Sequence, residues 1–362
     1  MSAPLSHRER VRLALEHRET DRVPIALVCS GINPAARQAL ATHLQSTRGT
    51  TVDDYLAPLI DIKGIGPDYI GPALPDCTDI WGVRRRPVSY GAGAYEEIEH
   101  HPLAAAAGEA DVAAHAWPSP AWFDYDSIAR KIQALEAQEY CLLAANGNIF
   151  ETSWYMRGFE NIFVDLATQP ERAGAIFERV TDFYVEYFTR LLRAGRGRID
   201  LVFTADDIAG QNGLLMSLDM WAASLKPHHV RLNRCIHEQG ARVIYHSDGA
   251  VMEAVPGLMD MGIDILQALQ FDARGMDPRT LKERYGNALC FEGGVSVQST
   301  LPFGTPEDVR REVQERIRVL GHGGGYILGP SHVIQDGTPP ENIVAMFDAA
   351  AGTGMRHPGG IS

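Results

Sequence analysis

Residues 241–248, ARVIYHSD, carry the reading on which the fold turns. Val243, Ile244 and Tyr245 make a short apolar run of the kind that suits a parallel strand covered on both faces. The run ends in His246 and Asp248, and because side chains alternate along a strand these two share a face. An imidazole and a carboxylate presented together at a strand end can form half of a metal site or an acid/base pair. The plainer alternative is a turn made by Asp248 with Gly249, beside a hydrogen-bonded core histidine.

Working outward, strand-like runs recur at 140–145, 199–204, 263–269, 288–292 and 325–329, with helical segments in most of the gaps and a helix expected over 127–137. Nearer the N-terminus, Ser6 and Glu9 make a capping box, 23–28 reads as a strand broken by Cys29-Ser30-Gly31, and helical spacing resumes over 34–44. Strands alternating with helices imply parallel pairing through right-handed crossovers, in an open doubly wound sheet or a closed barrel. The polar residues decide. Asn146, Asp206, Asp207, His246, Asp248, Gln267, Glu292, Ser331 and His332 fall at or just after strand C-termini, the rim on which barrel active sites are built. The expectation is an α/β protein, a single (β/α)8 TIM barrel over 1–362 with an N-terminal helical and hairpin excursion at 61–123. Within it Gly64, Gly66, Pro67, Gly71, Pro72 and Pro75 mark turns, 78–90 reads as a hairpin, and 103–123 as a packed connection. A last helix over 340–351 precedes a Gly-rich tail.

The chain has 362 residues, 45% of them hydrophobic, enough for one large core. Its net charge of -13 is spread along the sequence, which argues against nucleic-acid or anionic-membrane partners. Five scattered cysteines without CxxC spacing indicate neither a disulfide framework nor a cysteine zinc site, and fit a reducing cytoplasm. The charged N-terminus is no signal sequence, and no apolar run nears the roughly 18 residues of a membrane span.

Several stretches then resemble the uroporphyrinogen decarboxylase superfamily: TDIWGV at 78–83, DDIAGQNGLLMS at 206–217, LKPHH at 225–229, YHSDGAV at 245–251 and GGGYILGPSHVIQDGTPPENI at 323–343. The resemblance runs from ERVRLALEHRETDRVPI at 9–25 to the C-terminal helix and implies a (β/α)8 barrel with its cleft at the strand C-termini. The superfamily holds cofactor-free porphyrinogen decarboxylases and zinc-dependent methyltransferases that work with corrinoid proteins, so membership leaves the reaction open. The decarboxylases carry an arginine-rich segment after the first strand. Here that segment, 29–34, has no arginine before Arg37. An eight-carboxylate substrate would meet no cationic lining there.

The resemblance to the methyltransferase branch implies a metal site. Its His-x-Cys pair falls on His246-Ser247-Asp248, and its further cysteine on His332. Two histidines and an aspartate suit zinc with an open position, or iron, manganese or cobalt. Asp206 and Asp207 are paired carboxylates for cation binding or acid/base work, and Glu292 is a further acid or ligand; N-capping and turn roles are the alternatives. Asn146, Trp154, Tyr155, Arg157, Gln211 and Gln267 are substrate-contact candidates, with Arg157 suited to a carboxylate and the aromatics to stacking, or else to the core. His228 and His229 read as helix-packing or solvent-facing residues, and Gly323-Gly324-Gly325 precedes a strand and so is no phosphate loop.

The leading expectation is a metal-dependent methyltransferase or demethylase acting on a small methylated compound. With no DxHxxG cobalamin motif in the chain, any corrinoid would ride on a separate partner protein. A family-like homodimer fits the resemblance. One alternative is a cofactor-free decarboxylase using Asp61 or Asp206; the other is a barrel that binds a ligand or methyl carrier without chemistry of its own.

Overall fold

The structure, a computed structural model, describes residues 4–29, 31–89 and 94–352. Ser30, Tyr90 and the Gly-rich tail lie outside the described residues. Seven strands form one parallel sheet in chain order: β1 (Ile62–Gly64), β2 (Cys141–Asn148), β3 (Leu201–Ala205), β4 (Arg242–His246), β5 (Ile265–Ala268), β6 (Cys290–Val295) and β7 (Tyr326–Pro330). The extended segment around Ile25 is the eighth stave. Ala26 N donates to Leu328 O and Leu328 N to Pro24 O, while on its other edge Asp61 N donates to Ile25 O. The fold is therefore α/β, a (β/α)8 barrel.

The strands follow from period-two burial. Leu201, Phe203 and Ala205 on β3, Ile244 on β4, Ile265 on β5 and Ile327 on β7 belong to an inner cluster, while Val202, Val243, Tyr245 and Leu328 pack outward against the helices. Inside the barrel, the register Ala205, His246, Gln267, Glu292, Ile327 makes one layer across β3 to β7. Below it the filling is apolar, and the helix His7–Leu15 adds Val11 to the same cluster from the N-terminal end. Polarity is thus confined to the C-terminal rim and the helix-covered base.

Two elements differ from the sequence expectation. The excursion at 61–123 opens with a barrel strand, β1, whose three residues beside Gly66 and Pro67 show no apolar alternation; Lys63 and Gly64 are exposed. The hairpin pairs Arg84–Ser89 with Ala94–His100, and Thr78 adds only an isolated bridge to Arg84. Gly323, Gly324 and Gly325 all take positive φ at the turn into β7. A Cβ on Gly324, at φ +80, would stand 2.4 Å from the backbone N of Arg18. Gly324→Ala is expected to destabilise the fold by about 1–3 kcal/mol, read as a lower urea midpoint with the slope unchanged.

Candidate metal and substrate site

His246 ends β4 with its side chain on the inner face, and Asp248 follows on the rim. The turn after it needs glycine: at φ +84, a Cβ on Gly249 would lie 2.5 Å from Gly210 O. Gln211 donates from Nε2 to Gln270 Oε1, which also accepts the Gly249 N–H, so Gln211 pins this turn. His246 Nδ1 is bonded to Gln267 Oε1, which leaves Nε2 facing Asp207 Oδ1 at 3.6 Å and Asp248 Oδ1 at 3.8 Å. His332 Nε2 lies 3.7 Å from Asp248 Oδ2. The structure thus brings His246, Asp248 and His332 together and adds two neighbours. Ligand atoms of Cys29, His246 and His332 lie within 4.8 Å of one another, as do those of Asp207, His246 and Asp248.

This donor set fits a divalent cation. Asp248 Oδ1 is buried with no hydrogen-bond partner, an arrangement that native structures rarely leave without a partner such as an ion or a water. The electrostatics agree. Burial pushes the Asp248 carboxyl up, the His246 charge opposes it and Asp207 adds to it. Burial pulls His332 down against the charge of Asp248. Burial and the carboxylates of Asp248, Glu292 and Asp207 push the Cys29 thiol up.

The paired carboxylates separate into different surroundings. Asp206 is fully buried, with Oδ1 accepting from Glu151 N at 2.8 Å and Oδ2 held by the equally buried His229 Nε2. Both oxygens are engaged, and His229, expected at the helix surface or in packing, is its internal partner. Asp207 faces the cluster and accepts the Asp248 N–H at 2.7 Å. Glu151, in the first turn of the helix Ile149–Arg157, joins this group. Burial first, then Asp207 and Asp206, push its carboxyl up to about 8, despite a hydrogen bond from Asn148. Glu292 lies inside the barrel beside Gln267, and burial pushes its carboxyl well up. A Cβ on Gly329 would come within 2.5 Å of Glu292 Oε1, so glycine makes room for it.

Arg157 is not on the cleft. Its Nε bonds Asp165 Oδ2 at 2.7 Å and its Nη1 bonds the carbonyls of Leu103 and Ala104, a buried brace shared with Arg172. Trp154 packs on Tyr155 and Phe159 over a neighbouring hollow. Asn146, at φ 82 in the irregular end of β2, and Tyr155 line a cavity of ≈ 520 Å³ walled by Trp81, Phe123, Phe183, Tyr184 and Tyr187. It borders the carboxylates where the Tyr155 hydroxyl lies 3.4 Å from Glu151 Oε1. Asp61 lies at the opposite end of the barrel, before β1, bound to Arg10 and Arg22, and so cannot serve a reaction at the rim.

Cys29, Asn148, Glu151 and His229 were not among the sequence candidates. Cys29 follows the first stave and Glu151 the end of β2, so the strand-end rule that selected the others also reaches them. No helix among the described residues is long and apolar enough to cross a membrane.

A family model for uroporphyrinogen decarboxylase (URO-D) matches residues 98–352. A methylated-thiol–coenzyme M methyltransferase of Methanosarcina mazei is 29% identical over 204 residues, 56% of this chain and 51% of that protein. A uroporphyrinogen decarboxylase of Anaeromyxobacter dehalogenans is 26% identical over 236 residues, 63% of each chain. The matched segments thus span about half to three fifths of these relatives' lengths. A solved methyltransferase structure from Methanosarcina mazei shares the fold, with a TM-score of 0.66 and 17% identity over 96% of this chain and 98% of that one. With more than half of its length matched, the chain belongs to the uroporphyrinogen decarboxylase family.

Proposed function

We propose that the chain is a metal-dependent methyltransferase or demethylase acting on a small methylated substrate. The observation that carries this reading is the pair of ligand groups that share His246 on the rim, Cys29 with His332 and Asp207 with Asp248, with an orphaned oxygen on Asp248. The likeness to a methyltransferase within the family supports it.

His246 and His332 would hold the ion with Asp248 and Cys29, and Asp207 stands beside them. A thiolate with two imidazoles favours zinc over manganese. When bound, such an ion supplies Lewis acidity, keeping a thiol acceptor ionised near neutral pH or polarising the heteroatom that releases the methyl group. The residues do the rest. Gln267 fixes the His246 ring by bonding Nδ1. Asp206 locks the start of the helix Ile149–Arg157, which aims Glu151 at the cluster. Glu151, protonated near neutrality, holds a proton at its carboxyl beside Asp207, and Tyr155 bounds the cavity behind it. If the methyl group passes to or from a corrinoid, that corrinoid belongs to a separate partner protein. The five free thiols accord with a cytoplasmic location.

Elemental analysis of the purified protein, beside His246→Ala and His332→Ala variants checked by circular dichroism, tests the reading. The wild type is expected to carry about one zinc per chain and both folded variants to lose it. A protein that stays metal-free after zinc, iron, manganese and cobalt supplementation sinks it.

A further inference from the structure

We propose that the aromatic cavity beside the rim is a subsite for a methylated onium cation, a quaternary ammonium or a sulfonium. The inference rests on the methyltransferase reading and names its substrate class.

The wall is made of π faces and edges. Trp81 meets Phe183 with ring centroids 4.8 Å apart and Tyr184 at 5.7 Å, and Phe123 meets Tyr187 at 5.0 Å. Phe183, Tyr184 and Tyr187 come from one face of the helix Pro170–Gly195, where residues three and four apart are neighbours. One ring of the wall already holds a cation: the Arg85 guanidinium lies 5.1 Å from the Tyr155 centroid. Aromatic walls of this kind bind quaternary ammonium groups through the ring quadrupole.

Charge then decides between ligand classes. Among the described residues of the lining, Arg85 is the one cation, and Asp79 pairs with it at 2.7 Å. An anionic substrate would find no free positive partner and would approach the charge of Asp207 where the cavity meets the rim, since Tyr155 of the wall bonds Glu151 and Glu151 lies beside Asp207. A neutral ligand would gain from apolar contact alone. An onium gains from the rings and from the charge of Asp207 together. It also has no N–H or O–H on its charged centre, and so needs no acceptor from a wall in which three of the four tyrosine hydroxyls are engaged: Tyr184 with Thr152, Tyr69 with Pro72 O, and Tyr155 with Glu151. The volume of ≈ 520 Å³ lies within the range of small-molecule pockets.

Titration calorimetry of the purified full chain with choline and with 3,3-dimethylbutan-1-ol, which has the same shape without the charge, tests this. The cation is expected to bind about tenfold more tightly. Tyr187→Leu and Tyr155→Leu, each confirmed as folded by circular dichroism, are expected to remove most of that preference while sparing the neutral alcohol. Equal binding of the two probes, undetectable cation binding, or an undiminished preference in both folded variants overturns the proposal. Metal content is measured on the same preparations. A metal-loaded protein that ignores the cation overturns this inference alone, and a protein that refuses metal yet prefers the cation overturns the metal reading alone.

Discussion

Replacing Asp61 by asparagine is expected to lower folding stability at neutral pH by about 3–5 kcal/mol, the usual cost of removing one partner from a buried ion cluster. Asp61 is fully buried and is the hub of the barrel base. Its Oδ1 takes Arg10 Nη1 at 2.7 Å and His7 Nδ1 at 2.8 Å, and its Oδ2 takes Arg22 Nη1 at 2.6 Å and Ile25 N at 2.8 Å. Its backbone joins the first stave to β1 and β2, through Asp61 N to Ile25 O and Cys141 N to Asp61 O. The variant therefore leaves Arg10 and Arg22 charged in a confined space and loosens the closure of the barrel.

The pH dependence carries a sign that a simple packing defect does not. Burial pushes the Asp61 carboxyl up, but the hydrogen bond from His7 and the charge and hydrogen bonds of Arg22 outweigh it, so the group sits below its ordinary value. A depressed acid contributes stability that is present above the unfolded value of about 4 and is lost as pH falls through the folded one. The stability gap between wild type and Asp61→Asn is therefore expected to be constant near neutrality and to narrow below about pH 4. Urea unfolding at stepped pH measures it. A gap under about 1 kcal/mol at pH 7 would mean that the cluster behaves as a solvated surface pair.

The same residue shows where sequence reading succeeds and where it stops. The barrel was legible because its strands are local patterns: VIYH at 243–246 and LVFTA at 201–205 bury both faces, and such runs repeat with helices between them. The polar strand ends then pointed to the rim, and His246, Asp248 and His332 meet there. Pairings across elements were not legible. Asp61 and Arg157 look available in the sequence, yet each is held by arginine or aspartate partners from other segments or by carbonyls many residues away. Asp206 and Asp207 are adjacent and chemically alike, but strand alternation sends one to His229 and the other to the cluster. Cys29 looked like one of five scattered thiols until barrel closure brought the first stave beside β7 and His332. β1 stayed hidden because three residues are too few for a period to show.

Gln267→Leu is expected to weaken zinc binding by about 10–100-fold, or about 1.4–2.8 kcal/mol, without touching any of the proposed ligands. Gln267 is fully buried, paired in register with His246 on one side and Glu292 on the other, and its Oε1 holds His246 Nδ1. That bond makes Nδ1 the protonated nitrogen and leaves the Nε2 lone pair toward Asp207, Asp248 and the proposed ion. Leucine fills a similar volume but offers no acceptor, so the imidazole loses its tautomer bias and its hold on orientation. Glutamate restores an acceptor at the same reach and is expected to recover much of the affinity. Chelator competition at fixed pH gives the dissociation constants, and urea midpoints on the same variants separate positioning from damage. A purely structural Gln267 would shift the midpoint and leave zinc affinity unchanged, whereas a positioning Gln267 moves the affinity out of proportion to the midpoint.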